Sequence, residues 1–162
     1  MKTKTCCCTG HRPQGLPWGN STDGEAYDKY IKELTFKILE LINNGYTHFI
    51  SGVALGVDMD FAEIVLWFRD EKELPITLEC AIPCPEQSKK WQQPDIDRYH
   101  SILSRADKQT LISKTYTSSC MLARNRYMVD HSDTLLAVWN GTKHGGTWYT
   151  MEYAIKLNNI LI

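Results

Sequence analysis

The chain has 162 residues, 43% of them apolar and 23% charged, with a formal net charge of −1. That length suits one domain spanning 1–162 with a real hydrophobic core, in the ordinary soluble globular class. The charge balance excludes a generally basic surface for polyanions, and no apolar run approaches the roughly 20 residues needed to span a bilayer.

The N-terminus MKTKT leads into CCCTGH, too short and too soon interrupted for a signal-peptide core, so a reducing cytoplasm is expected. Thr3 to Cys8 reads as a strand. In a strand the adjacent Cys6, Cys7 and Cys8 alternate faces and cannot converge on one metal. Cys80, Cys84 and Cys120 add no CxxC pair or zinc-like histidine spacing, so small buried apolar residues are expected and no metal site. Thr9 to Gly24 is rich in Gly and Pro and reads as a loop. From Glu25 to Asn44 the apolar residues Tyr27, Tyr30, Ile31, Leu34, Ile38, Leu41 and Ile42 recur at threes and fours, the period of an amphipathic helix that stops at Asn43-Asn44-Gly45. Tyr46 to Ile50 is a strand, and Val57 to Arg69 a helix apolar around much of its circumference, hence buried.

Pro75 precedes a strand from Ile76 to Ile82, and Pro83 to Pro94 is a polar loop. A helix over 95–105 and a weak strand from Lys108 to Ile112 follow. Ser118 or Ser119 is placed to cap a helix that runs to about His131. On that helix Met121, Leu122 and Met128 are expected toward the core, and Arg126 with Asp130 as a surface pair. Thr134 to Trp139 is a strand, Gly146 to Asn158 a helix and Ile160 to Ile162 a closing edge strand. This alternation predicts an α/β, three-layer, Rossmann-like fold: a mostly parallel sheet with helices on both faces.

Such folds bind ligands at the carboxyl ends of the strands. Four segments fall there: Thr9 to Arg12, Ser51 to Asp58, Ser113 to Ser119, and Asn140 to Thr147. In SGVALGVD, Gly52 and Gly56 permit tight turning and close backbone approach, and the helix start that follows suits phosphate. The pattern is not GxGxxG, so no dinucleotide fingerprint is claimed. Asp58 suits a ribose hydroxyl, and Asp58 with Asp60 point apart on a helix, which disfavours a shared magnesium. In NGTKHGGTWYTME, Gly145 and Gly146 open a helix at which Thr147 offers a hydroxyl and an N–H to an anion; Lys143 and His144 add positive charge or are solvated. Arg12 is suited to grip phosphate and His11 to donate to it, while Trp18 either stacks on a base or pins its loop to the core.

These residues together resemble a family. Ser51-Gly52-Val53-Ala54-Leu55-Gly56-Val57-Asp58 is similar to the SG-x-A-x-G-x-D turn of the DprA (Smf) proteins. Met121-x-x-Arg124 followed by Met128 and His131-Ser132-Asp133 resembles the helix of the Lonely Guy (LOG) enzymes, whose PGGxGTxxE falls where this chain has its glycine turn at 145–147. The whole chain, with TGHRP and GGT-x-x-T, looks most like the YpsA-like group of that superfamily. The resemblance implies a Rossmann-like domain for nucleotides or nucleotide-derived ligands. LOG enzymes cleave the N-glycosidic bond of nucleoside 5′-monophosphates, DprA proteins bind single-stranded DNA, and other relatives are inferred to sense ligands such as ADP-ribose or NAD derivatives. The LOG chemistry pairs an arginine, matched by Arg124, with a glutamate whose position here is Thr150. Glu152 comes two residues later, roughly 200° round a helix, off register for catalysis.

The expected function is binding or sensing of a nucleotide or nucleotide derivative, with LOG-type N-glycosidase activity and DprA-like DNA binding as alternatives. Arg124 is the catalytic candidate if there is a reaction. The expected ligand residues are Thr9, Gly10, His11, Arg12, Ser51, Gly52, Gly56, Asp58, Arg124, Asn125, Gly141, Gly145, Gly146, Thr147 and Thr150. A nucleotide is the expected ligand, with magnesium entering through its phosphates. Nucleic acid and membrane are not expected as partners, and a homodimer is compatible with the resemblance.

Overall fold

Strand β1 (Lys4–Gly10) pairs with β2 (Tyr46–Ser51) on one side and β5 (Thr134–Val138) on the other, both in parallel. It is therefore the centre of a sheet buried on both faces, which its run of small β-compatible residues allows. In the computed structural model, which describes residues 2–157 and 159–161 apart from the side chains of 160 and 161, β3 (Thr77–Ile82), β4 (Lys108–Leu111) and β6 (Ile160–Leu161) complete the sheet. The strand order is β4-β3-β2-β1-β5-β6 and every pairing is parallel. The connecting helices are α1 (Glu25–Asn43), α2 (Val57–Asp70), α3 (Gln93–Arg105), α4 (Cys120–Asp130) and α5 (Gly145–Lys156). This is the expected three-layer α/β fold. Asn158 and Ile162, the expected ends of the last helix and strand, lie outside the described residues.

Two apolar layers sandwich the sheet. Cys6 and Cys8 face α1 and α2, packed with Leu34, Ile38, Phe61 and Val65. Cys7 faces the opposite way, with Ile50, Met128, Leu135 and Ala154 beneath α4 and α5. Burial pushes the Cys7 thiol up to about 12, so it behaves as a small apolar residue. Each fully buried Leu, Ile or Phe contributes roughly 1.5–3 kcal/mol relative to exposure. Tyr30, Leu34, Ile38 and Leu41 are the buried positions of α1, a stripe at four, four and three.

Local details depart from the expected ones. Ser119 is the N-cap of α4, but its side chain makes no capping hydrogen bond. Arg126 and Asp130 do not pair: Arg126 donates to Tyr149, and Tyr153 donates to Asp130 at 2.7 Å. Both reach across to α5, since α4 packs against it. Glu79 of β3 is 2% exposed, a burial that the sequence did not flag. It is held by Thr110 and Tyr127, each at 2.6 Å, and by His48 at 2.9 Å.

From β1 the chain builds outward to β4, then crosses back to place β5 on the far side of β1. The reversal leaves a crevice between β1 and β5 at their carboxyl ends, the switch point at which open α/β sheets bind ligands.

Candidate functional site

A cavity of about 290 Å³ occupies this crevice. β1 brings Thr9, Gly10, His11 and Arg12 to it, and the β2–α2 turn brings Ala54 and Asp58. α4 contributes Met121, Arg124 and Asn125, and the start of α5 contributes His144, Gly145, Gly146 and Thr147. A larger apolar groove of about 490 Å³ lies between α1 and β5, walled by Leu34, Phe36, Leu136 and Val138. The smaller cavity is the candidate, because two arginines, a buried carboxylate and open helix N–H groups converge there at the switch point.

The glycines divide into two kinds. A Cβ on Gly10 would lie 2.4 Å from Val57 Cβ, so this glycine lets α2 press on β1. Gly56 has φ +91°, and a Cβ there would sit 2.6 Å from the His11 carbonyl. A Cβ on Gly52 would meet Arg124 Nη1 at 2.6 Å. Gly52 and Gly56 were expected to admit a ligand against the backbone; the protein itself fills those spaces. Gly145, with φ +87°, and Gly146 have nothing within 4 Å of such a Cβ, so the α5 start is open.

That start is also uncapped. His144 occupies the N-cap without a side-chain hydrogen bond. The first N–H groups of a helix lack intrahelical partners, and its dipole favours an anion there. Thr147 lines the cavity and is buried. Thr150 is buried too, but its hydroxyl donates to Gly146 O at 2.8 Å, back into its own helix. It is thus spent within α5 rather than offered to a ligand.

Arg124 is 4% exposed. Its Nη1 donates to Gly52 O at 2.5 Å and its Nε to Asn125 Oδ1 at 2.8 Å, which fixes the guanidinium at the cavity wall. Burial pulls its pKa down, and the nearby Asp58 carboxylate opposes that. Asp58 is 7% exposed, and burial pushes its pKa up to about 6 against the pull of Arg124. Asp60, two residues on, points elsewhere, accepting from Tyr30 at 3.0 Å and Arg98 at 2.7 Å. Arg12 is exposed and in no salt bridge among the described residues.

His11 has a definite tautomer. Its Nε2 accepts the backbone N–H of Asn140 at 3.0 Å, which leaves the proton of the neutral ring on Nδ1. Burial lowers its pKa, consistent with a neutral ring. The same residue's carbonyl accepts from Val57 N at 3.4 Å, so His11 ties the β1, α2 and β5 ends together. Trp18 pins its loop, stacking on Tyr30 with ring centroids 4.4 Å apart.

Other expected residues lie off the cavity. Ser51 donates to Asp58 O at 2.7 Å and accepts from Val53 N at 3.1 Å, holding the turn. Gly141, with φ +90°, shapes the β5–α5 loop and does not line the cavity. Glu152 is exposed and outside it, on the register its spacing implied. Met121, expected in the core, lines the cavity half-buried instead. Ala54 also joins the lining, and neither residue type marks a site in sequence. Among the described residues no three His, Cys, Asp or Glu gather to hold a metal, and no helix is long and apolar enough to cross a membrane.

The chain is similar to known proteins over nearly its whole length. The family model YpsA, described as the YspA SLOG family, matches residues 6–160. A UPF0398 protein of Halalkalibacterium halodurans is 32% identical over 156 residues, covering 94% of this chain and 81% of its own. The UPF0398 protein YpsA of Bacillus subtilis is 26% identical over 94% of this chain and 85% of its own. The X-ray structure of DNA processing protein A (DprA) from Streptococcus pneumoniae superposes with a TM-score of 0.62 at 13% identity. It matches 98% of this chain, which spans about half (49%) of that protein, and the likeness is one of fold. The chain belongs to the YspA SLOG family.

Proposed function

For this member of the YspA SLOG family, we propose binding or sensing of a nucleotide or nucleotide derivative of the ADP-ribose or NAD kind, at the β1–β5 crevice. The observation that carries the reading is convergence. The uncapped α5 start at Gly145, Gly146 and Thr147 meets Arg12 and Arg124 across one cavity at the switch point. Helix N–H groups and guanidinium forks are complementary to phosphate oxygens. Asp58, on the same wall, would repel phosphate and suits a ribose hydroxyl. His11, with its proton on Nδ1, braces the two loops that bound the cavity.

The test is thermal unfolding against AMP, ADP, ATP, ADP-ribose, NAD and a cyclic dinucleotide, with and without magnesium. A ligand that binds only the folded state adds about 2.7 kcal/mol at 100 times its dissociation constant. At least one nucleotide is expected to raise the midpoint. Arg12→Ala should leave the unliganded midpoint unchanged, because Arg12 is exposed, and weaken the ligand at least tenfold. No shift with any of the panel sinks the reading.

A second reading is hydrolysis of the N-glycosidic bond, favoured by one observation. Asp58 lines the same cavity as Arg124, and burial holds its pKa at about 6. A carboxyl in that range is suited to assist departure of a base or to activate water. Free base released by the wild type and not by Asp58→Asn, at equal nucleotide occupancy, would support it. No release from any bound nucleotide rejects it.

A further inference from the structure

The strand-end cavity does not stop at Arg12. Arg12 and Met121 form a wall shared with a second cavity of about 740 Å³, beneath the loop between β3 and α3. Small-molecule sites run from about 300 to 1,000 Å³, so the first lobe, at about 290 Å³, is small by itself. The second has room for at least as much ligand again.

Its chemistry is distinct. Lys89 and Lys90 line it, are exposed, and join no salt bridge among the described residues. Trp91 lines it half-buried, braced edge-on by Tyr99 at 5.3 Å between ring centroids. Tyr116, 65% exposed, faces the same space. Gln87 is 7% exposed, and its Oε1 is buried with no hydrogen-bond partner among the described residues. Its Nε2 donates to Gly52 O at 3.1 Å, the same carbonyl that receives Arg124. One backbone oxygen thus fixes a polar side chain of each lobe.

We propose that the two lobes together take a dinucleotide, two nucleosides joined through a pyrophosphate. This rests on the nucleotide reading of the first lobe. One nucleoside occupies the crevice at the start of α5. The pyrophosphate crosses the shared wall at Arg12, with Lys89 and Lys90 facing its charge from the far side. The second sugar and ring enter the larger lobe, where Trp91 and Tyr116 offer aromatic surface. A mononucleotide leaves these groups unengaged.

Isothermal titration of the purified chain with AMP, ADP-ribose, NAD and a 20-residue oligothymidylate tests this. The variants are the double substitution Lys89→Ala/Lys90→Ala and, separately, Tyr116→Ala. All three side chains are exposed, so neither variant should perturb folding. NAD should bind the wild type at least tenfold more tightly than AMP. The double variant should lose most of that advantage while its affinity for AMP stays within twofold. Tyr116→Ala should act in the same direction. NAD no tighter than AMP, or variants that weaken both equally, overturns the two-lobe proposal and leaves the first lobe standing. Binding of the oligothymidylate without NAD overturns it in favour of nucleic acid. No binding of any nucleotide overturns both readings.

Discussion

At Gly10 a single added carbon would stand 2.4 Å from Val57 Cβ, with no flexible atom able to yield. Overpacking of this kind costs about 1–3 kcal/mol. Gly10→Ala should therefore lower unfolding free energy by about 3 kcal/mol in urea titrations. Gly146, inside α5 with open space around it, is the contrast. Gly146→Ala should raise stability by up to about 1 kcal/mol, the helix preference of alanine over glycine. A Gly10→Ala protein within about 0.5 kcal/mol of wild type would contradict the packing account. Asp58 governs a second residue-scale effect. Its folded pKa is raised from 3.8 to about 6, first by burial, with Arg124 and the Ala54 N–H pulling it down. A raised folded pKa means that its stabilising contribution is full below the unfolded value and lost as pH climbs through about 6. Stability should thus fall between pH 4 and 7 by about 2–3 kcal/mol from this group. Asp58→Asn should remove that slope. An unchanged slope in paired urea titrations would refute the assignment. Residue identity made Arg12, Arg124 and Asp58 legible as candidates in the sequence. It did not reveal that Thr150 turns its hydroxyl back to Gly146, or that Gln87 and Met121 reach the cavities. Those outcomes depend on rotamer and on neighbours distant along the chain.

At the scale of elements, the boundaries followed from periodicity and from punctuation by Gly, Pro and Asn, and those that fall on the described residues agree to within a residue or two. Glu79 is where pattern failed. It sits mid-strand in TLECAI, and strand alternation alone does not distinguish a buried charge from a solvated one. The sheet resolves it by joining four elements: His48 from β2, Thr110 from β4 and Tyr127 from α4 all bond the Glu79 carboxylate of β3. Burial by itself would raise the Glu79 pKa; those bonds and Lys108 outweigh it and hold the carboxyl at about 2. The sign is opposite to that of Asp58. This contribution is present above the unfolded value of 4.5 and is lost as pH falls toward about 2. Glu79→Gln should therefore lower stability at pH 7 and narrow its difference from wild type at pH 3, as read by chemical denaturation. Equal differences at both pH values would show that the charge is immaterial. Removing the acceptor also strands polar partners, for which about 1–3 kcal/mol is the usual cost.

At the scale of the molecule, one sheet serves two cores, because Cys6 and Cys8 look one way and Cys7 the other. Neither layer of helices can leave without exposing the shared strands. Unfolding should be a single cooperative transition, in which fluorescence from Trp18 and Trp91 on one face and Trp139 and Trp148 on the other coincides with far-UV circular dichroism. Separate midpoints would mean that the faces unfold independently. The class of fold was determined by sequence, since alternating strand and helix periods admit few parallel topologies and the right-handed crossover removes most of the rest. So were the segments at the carboxyl ends of the strands, because chain order dictates which loops follow strands. Strand order was not: the placement of β5 beside β1 is a long-range pairing, and it alone creates the crevice. The roles of the glycines were decided there as well. A glycine in sequence signals only that a Cβ is absent, and whether helix, guanidinium or ligand takes the vacated space depends on which chain segments the tertiary fold brings against it.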